Sequence, residues 1–339
     1  MIKRRTMDGN GEHHANDRKL PAAARGMGHA SPFDRLQWFD LLAAHGFAGE
    51  GRFDAAGFAG ETAAWLPLRR EKSSVLAGLV NWYSFAIRPL YTGQGDHMAA
   101  LRDLFARART EAARLTLYPV PDAEKDSIAA AMRAAGWWVR AVPTGDRHWL
   151  DLTGLDHDGW WATRPGALRS TVQRKAKKNI VAIEILTAFD ADAWAAYEHI
   201  YAASWKPEEG DPALLRAFAE SESARGTFRM GLARIDGAAV AAQYWTVEDG
   251  TAFIHKLAHV EDSLKASPGT LLSAALFRHV ITVDGVRRID FGTGNDAYKR
   301  DWMNRHEPLW RLEGFNRGRI AAWGPALKAF ARSLLRKDT

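Results

Sequence analysis

The sequence predicts a mixed α/β (α+β) protein built from two copies of one fold, each a twisted mixed sheet flanked by helices. From Phe33 onward, segments with apolar residues at helical spacing alternate with short extended segments. Both halves run through extended segments, helix, strand, helix and strand, although they share no visible residue-level repeat. Two Asp-Gly pairs between apolar runs, Asp236-Gly237 and Asp249-Gly250, are typical of hairpin turns, which need positive φ angles.

Length and composition are those of a folded protein of about two domains. The chain has 339 residues, of which 47% are apolar and 25% are charged. It has no cysteine, which excludes thiol nucleophiles, disulfides, thiolate zinc sites and iron–sulfur ligation. Its net charge of +6 mildly favours anionic partners. Any covalent chemistry is therefore expected to use oxygen or nitrogen.

Residues 1–30 differ from the rest because they are polar and charged, with few large apolar side chains, which is typical of a disordered tail. Lys3, Arg4 and Arg5 are not followed by the apolar region of a signal peptide. No apolar run approaches the roughly 18 residues that span a bilayer. We therefore expect a cytoplasmic protein without an integral membrane segment.

The N-terminal domain is expected to cover residues 31–152. Leu36, Phe39 and Leu42 recur at helical spacing within 34–45, and Gly46 ends that helix. Two further helices are predicted at 96–114 and 123–135. Strands are predicted at 62–68, 74–83, 115–120, 137–141 and 148–152.

The C-terminal domain is expected to cover residues 153–339 and to begin with a basic helix at 165–178. Asp190 is predicted to cap a helix at 191–205. The Asp-Gly turns are expected to join three strands into an antiparallel meander. The predicted elements, in chain order, are a strand at 180–186, strands at 229–235, 240–247 and 252–259, a helix at 270–282, a strand at 287–291, a short helix at 296–303, a strand at 309–315 and a final helix at 320–335.

A candidate anion site lies at the start of the helix near residue 270. Ser267, Pro268 and Gly269 follow a strand and open this helix, which leaves backbone N–H groups and the positive end of the helix dipole available to an anion. Proline and serine are also ordinary helix-start residues, so the motif alone leaves both interpretations open.

The segment 252–302 carries the most specific pattern in the chain. It contains Lys-Leu-Ala at 256–258, Ser-Pro-Gly-Thr-Leu-Leu at 267–272 and Asp-Phe-Gly at 290–292, followed by Tyr298, Lys299 and Trp302. This pattern resembles the GNAT acyltransferase superfamily, and within it the CelD/BcsL-type, FemAB-like branch, in which two GNAT-like domains are fused. The resemblance covers residues 165–315 well and the N-terminal half loosely. It implies tandem GNAT-like domains and acyl transfer.

The resemblance implies that acetyl-CoA, or another acyl-CoA, is the co-substrate. The residues implied to bind it lie on the strand that ends near 259 and around the following helix start: Leu257, Ala258, Lys265, Ser267, Gly269 and Thr270. Pro268 and Thr270 replace the small residues of the usual pyrophosphate loop. Some FemAB-like proteins take the acyl group from aminoacyl-tRNA, so acyl-CoA and charged tRNA both stay open as donors.

Acyl transfer needs a base, stabilisation of an oxyanion and a proton for the leaving group. The resemblance implies that Tyr298 protonates the departing thiolate and that Lys299 contacts the reacting carbonyl or a donor phosphate. Asp290 ends a short apolar strand, where a carboxylate must be paired, and it is a candidate to orient Tyr298 or Lys299 or to act as base. His255 titrates in the range that a base needs. A structural role is the alternative for each of these residues.

No metal site is predicted. Strand alternation is expected to place His255 and His259 on one face of the same strand, without a third fixed ligand. The final helix has Leu327, Phe330 and Leu334 on one side and basic residues around it. It is expected to close the domain, with peripheral membrane contact as the alternative.

The leading hypothesis is direct transfer of an acyl group from acetyl-CoA, or a related thioester, to an amine or hydroxyl. The family context implies a small-molecule or saccharide acceptor, such as a cell-envelope precursor. One alternative is an aminoacyl transferase that uses charged tRNA, favoured by the basic segment Arg169–Lys178. Another is a non-catalytic accessory protein of exopolysaccharide synthesis, associated peripherally with an envelope or synthase complex.

Overall fold

The structure is a computed structural model, and it describes residues 31–47, 50–294 and 298–335. The tail predicted at 1–30 and the first residues of the short helix predicted at 296–303 lie outside this part. Among the described residues, no helix is long and apolar enough to cross a membrane.

The described residues have the predicted mixed α/β fold, and their strands form one continuous twelve-stranded mixed sheet. Its spatial order is β1-β2-β3-β5-β12-β6-β11-β10-β9-β8-β7, and β4 pairs with β2. In chain order the strands are β1 Gly51–Ala59, β2 Thr62–Lys72, β3 Val75–Gly78, β4 Leu90–Thr92, β5 Arg114–Pro121, β6 Trp137–Asp151, β7 Ala182–Leu186, β8 Phe228–Ile235, β9 Ala238–Glu248, β10 Thr251–His259, β11 Arg288–Thr293 and β12 Arg305–Asn316.

Helices cover both faces of this sheet. They are α1 Leu36–Leu41, α2 His97–Glu111, α3 Asp122–Ala134, α4 His157–Ala162, α5 Gly166–Ala176, α6 Ala191–Ala202, α7 Pro212–Ala224, α8 Pro268–Thr282, α9 Lys299–Trp302 and α10 Trp323–Leu335. Helices α2 and α3 pack on the N-terminal half of the sheet. In the C-terminal half, α6 and α7 bury apolar side chains with one face, and α4 and α8 with the other.

The two halves are joined in the middle of the sheet. β12 lies between β5 and β6 and pairs antiparallel with both. The strands predicted at 137–141 and 148–152 are a single strand, β6, because β12 pairs with it across the predicted interruption, from Trp137 to Trp149. The far end of β6 pairs with β11, so this strand belongs to the ladders of both halves.

The predicted meander of β8, β9 and β10 is confirmed. Asp236 and Gly237 have φ angles of 49° and 83°, and Asp249 and Gly250 have φ angles of 47° and 73°, as tight hairpin turns require. The predicted cap is also present, because the carboxylate of Asp190 accepts a hydrogen bond from the Ala193 N–H at 2.8 Å. The prediction missed β1, β4, α4 and α7, although α7 begins with an ordinary Asp-Pro start at Asp211 and Pro212.

Candidate functional site

The main candidate site is a cavity at the point where two parallel strands separate. β10 and β11 pair from Thr251 to Phe253 on one strand and from Arg288 to Asp290 on the other, and beyond Phe253 they diverge. The cavity has a volume of about 650 Å³ and lies between the end of β10, the start of α8 and α9. Its lining includes Leu257, His259, Ser267, Gly269, Thr270, Ser273, Tyr298 and Trp302.

The first turn of α8 presents its amino end to this cavity. Ser267 precedes the helix with a φ angle of +56°, in the left-handed region that non-glycine residues rarely adopt. Pro268 has no N–H, and the N–H groups of Gly269 and Thr270 lie in the first turn, where a helix offers them no acceptor. The amide of Gln243 fixes this turn, donating to the Ser273 hydroxyl at 2.7 Å and the Gly269 carbonyl at 3.3 Å. This end of the cavity is therefore suited to an anion.

Four of the six residues implied to bind the co-substrate line the cavity, and two do not. Leu257, Ser267, Gly269 and Thr270 line it, whereas Ala258 is buried in the core on the opposite face of β10. Lys265 lines a neighbouring groove of about 190 Å³ together with Lys175 and Lys178. This basic groove adjoins the cavity because Leu264 and Ser267, on either side of Lys265 and Ala266, line the cavity itself.

A β-bulge in β10 separates the two histidines of this strand. Ile254 pairs with Trp245 and Lys256 pairs with Tyr244, so His255 is an extra residue without a counterpart on β9. The expectation that His255 and His259 share a face is therefore wrong: His255 packs into the aromatic core, whereas His259 lines the cavity.

His255 is partly buried within an aromatic shell. Its ring centroid lies 5.0 Å from that of Tyr244, 5.2 Å from Phe218 and 5.6 Å from both Phe33 and Phe85. Its Nε2 shares a hydrogen bond with the Thr246 hydroxyl at 2.8 Å. Burial, aided by nearby positive charges, lowers the pKa of His255 to about 3. The imidazole is therefore neutral at physiological pH and is not among the residues that line the cavity.

His259 is a titratable cavity residue that the sequence prediction did not select as catalytic. Its ring lies 4.4 Å from that of Trp205, and its Nδ1 is buried and has no hydrogen-bond partner among the described residues. Burial, together with the ammonium of Lys206, lowers the pKa of His259 below that of a free histidine. A neutral imidazole beside the cavity can accept a proton.

Tyr298 and Lys299 are adjacent in sequence but differ in environment. Tyr298 is 42% exposed, lines the cavity and has its ring 5.7 Å from that of Phe291. Lys299 is buried, and its Nζ donates to the Thr293 carbonyl at 2.6 Å. The Lys299 ammonium therefore holds the end of β11, and this residue is not among those lining the cavity.

Asp290 lies on the other side of the divergence point, away from Tyr298. It is fully buried and accepts hydrogen bonds from Arg147 Nη2 at 2.5 Å and from the Gly292 N–H at 2.9 Å. A small separate cavity of about 190 Å³ adjoins it, lined by charged residues that include Arg88 and Glu307. The carboxylate is paired, as its burial requires, but its partners are Arg147, the Gly292 N–H and, at 3.4 Å, Arg288, and not Tyr298 or Lys299.

The part of the chain that builds this site matches a known kind of domain. Residues 166–300 match the family model of the acetyltransferase (GNAT) domain. The matched segment contains the bulged strand β10, α8, β11 and most of the residues that line the cavity, and this part of the chain has a GNAT-family acyltransferase fold. A search of curated protein sequences gives no significant match.

Several solved structures share the fold over most of both chains. FemX has a TM-score of 0.62 at 10% identity, covering 86% of this chain and 94% of that one. L-PGS from Bacillus licheniformis has a TM-score of 0.54 at 12% identity, covering 89% and 97%. A C-terminal DUF2156 domain from Agrobacterium fabrum has a TM-score of 0.55 at 15% identity, covering 82% and 91%. At these identities the likeness establishes the fold.

Proposed function

We propose that this protein transfers an acyl group from a thioester donor, such as acetyl-CoA, directly to an amine of an acceptor. The observation that carries the proposal is the divergence of β10 and β11 beside the open first turn of α8. The family resemblance adds the expected acceptor class, a small molecule, saccharide or cell-envelope precursor.

The two sides of the cavity match the two ends of an acyl-CoA donor. Beyond Phe253, β10 no longer pairs with β11. The edge of β10 on that side is therefore open to an extended chain with amide groups, which can form hydrogen bonds with it. The pyrophosphate then meets the N–H groups of Gly269 and Thr270 and the positive end of α8. The basic groove of Lys175, Lys178 and Lys265 is available to a further phosphate.

His259 and Tyr298 supply the proton transfers in this proposal. Because its pKa is lowered, His259 is neutral at physiological pH and accepts the proton from the attacking amine. The amine nitrogen attacks the thioester carbonyl, the C–S bond breaks, and the Tyr298 hydroxyl protonates the leaving thiolate. The chain has no cysteine to carry the acyl group, so transfer within a ternary complex is expected.

A second groove supports an amine as acceptor. It has a volume of about 590 Å³ and shares Tyr201, Lys206 and Pro207 with the donor cavity, so the two are continuous. Its lining also contains Trp194, Tyr197, Glu198, Glu208 and Glu209. Aromatic faces and carboxylates attract ammonium groups. The Lys256 ammonium shows this preference at one end of the groove, where it binds Glu209 at 2.8 Å and lies 5.1 Å from the Tyr201 ring centroid.

Charged tRNA is the second candidate donor, favoured by the surface next to the cavity. Helix α5 has no buried residue, and its exposed basic side chains continue into the groove with Lys265. Such a surface suits a nucleic-acid backbone.

Isothermal titration with acetyl-CoA and with coenzyme A tests the donor. We expect micromolar binding, weakened about tenfold by Gly269→Asp, which places a negative charge at the amino end of α8. The turnover assay uses the variant Tyr298→Phe. Its matched control is Tyr118→Phe, which changes a tyrosine of β5 far from the cavity. Absence of binding to both ligands, together with steeply salt-dependent binding of charged tRNA, would replace the thioester by tRNA.

Turnover is measured as thiol released from acetyl-CoA with a panel of amines. The assay has no protein background because the chain has no cysteine. We expect Tyr298→Phe to lower kcat by about 10² to 10⁴ while leaving the Kd of acetyl-CoA within twofold. Unchanged kcat in this variant would remove Tyr298 from the mechanism.

A further inference from the structure

The carboxyl-terminal helix α10 packs on the protein with its small side chains and turns large apolar side chains outward. Ala322, just before the helix, and Ala326 are buried against the core that contains Phe315. On the outside, Ile320 is 82% exposed and Leu327 is 74% exposed. An ordinary surface helix has the reverse arrangement, with its large apolar residues toward the core.

The exposed apolar residues form a stripe, which we call the apolar stripe: Ile320, Trp323, Leu327 and Phe330, of which Phe330 also lies with its ring 6.2 Å from that of Phe315. Their spacing of three, four and three residues keeps them on one side of the helix. Trp323 is 53% exposed, and its indole N–H donates to the Arg317 carbonyl, so its ring lies at the surface with the polar edge satisfied. Large exposed apolar patches on a folded protein mark a surface that is covered by something else.

The charges beside the stripe point to an anionic occupant. Residues 316–335 contain four basic residues and no acidic one: Arg317, Arg319, Lys328 and Arg332. A groove of about 390 Å³ lies between α10 and the sheet, where Lys328 and Arg332 join Arg114 and Arg140. The groove's acidic residue, Glu313, binds Arg140 at 2.8 Å. The groove therefore has an excess of positive charge and is wide enough for a phosphate headgroup.

We propose that α10 lies on the surface of a membrane that contains anionic lipids. The apolar stripe enters the boundary between headgroups and acyl chains, Lys328 and Arg332 contact lipid phosphates, and the adjoining groove accepts one headgroup. Helices that combine Trp, Phe and Leu on one side with Lys and Arg on the other bind membranes in this way. A protein partner fits this surface less well, because it would need an apolar binding surface that is surrounded by acidic residues only. The proposal is independent of the acyl-transfer chemistry.

Sedimentation of the full chain with vesicles tests the proposal. One set contains phosphatidylcholine alone, and the other contains 30 mol% phosphatidylglycerol. We expect binding to the anionic vesicles, weakened as the salt concentration rises. Ile320→Ser/Leu327→Ser should lower the partition coefficient about tenfold or more, and Lys328→Gln/Arg332→Gln by about tenfold. These side chains are exposed, so unfolding is not expected, and thermal melting followed by circular dichroism checks this.

The matched control changes exposed apolar residues elsewhere. Val283, which is 69% exposed after α8, and Met98 on α2 become serine in Val283→Ser/Met98→Ser, and binding should stay within twofold of wild type. The proposal is overturned if the full chain does not bind anionic vesicles, or if the stripe variant binds as well as wild type. It is also overturned if light scattering shows a dimer that the stripe substitutions dissociate without any vesicle binding. Binding of glycerol phosphate to the groove without any binding to anionic vesicles would assign the groove to a free phosphate compound instead.

Discussion

The histidine of the β10 bulge makes the stability of the protein depend on pH, and one substitution should remove its contribution. The pKa of His255 is about 3 in the folded protein and near 6.5 in the unfolded chain. Between these values the unfolded chain binds the proton and the folded protein does not. The stability contributed by the neutral imidazole is therefore present above about pH 6.5 and is lost as the pH falls toward 3.

The size of the effect follows from the shift. Each pH unit within this window changes the free energy of unfolding by about 1.4 kcal/mol, so His255 alone removes about 2 kcal/mol between pH 7 and pH 5. We expect His255→Gln to lose about 2 kcal/mol less than the wild type over this interval. Glutamine keeps a hydrogen-bonding group near the Thr246 hydroxyl but does not titrate.

Urea denaturation at pH 7 and pH 5, followed by tryptophan fluorescence, measures both differences. His199→Gln, on the exposed side of α6, is the matched control and should retain the wild-type pH dependence. The comparison of each variant with the wild type isolates the contribution of the replaced histidine. If His255→Gln loses as much stability as the wild type between the two pH values, the imidazole is not held neutral by the aromatic shell and the reasoning fails.

Three further predictions concern the divergence point and the cavity. Asp290→Asn removes the charge that binds the buried Arg147 guanidinium and should destabilise the protein by about 3–5 kcal/mol in urea; a loss below about 1 kcal/mol would contradict a buried ion pair. Gly292→Ala should lower the free energy of unfolding by about 1–3 kcal/mol, because Gly292 has a φ angle of +64° and an added Cβ would lie 2.7 Å from ring carbons of Phe85. An unchanged urea midpoint would disprove this. Lys206→Gln removes a charge that lowers the pKa of His259, so the rising limb of the pH–rate profile should move to higher pH, and a fixed limb would exclude His259 as the base.

Local signals in the sequence were sufficient to predict much of the secondary structure of the C-terminal half. The Asp-Gly turns fix the meander because few other dipeptides adopt two successive positive φ angles at low cost. The start of α8 was recognisable for a similar reason, since the Ser-Pro-Gly run restricts the backbone locally. Four of the six proposed donor-binding residues line one cavity because they lie at the end of a strand and the beginning of the helix that follows it.

The positions of His255 and His259 depend on a β-bulge, which the alternation of residues along a strand does not predict. One extra residue in β10 reverses the alternation, so that His255 enters the core and His259 faces the cavity. A bulge is decided by how β10 fits β9, and no local residue signals it here. The ion pair of Asp290 depends on Arg147, which is 143 residues away in the sequence. Local sequence patterns could therefore not predict this pair either.

The position of β12 also determines when the sheet can be completed. Its residues are synthesised more than 150 residues after those of β6, yet it occupies the slot between β5 and β6. Until it is made, the edges of β5 and β6 with which it pairs in the finished sheet lack that partner, and unpaired edges of this kind recruit strands from other molecules. Such distant pairing slows folding. The strand that joins the two halves in the finished protein is thus the last of the described strands to be made.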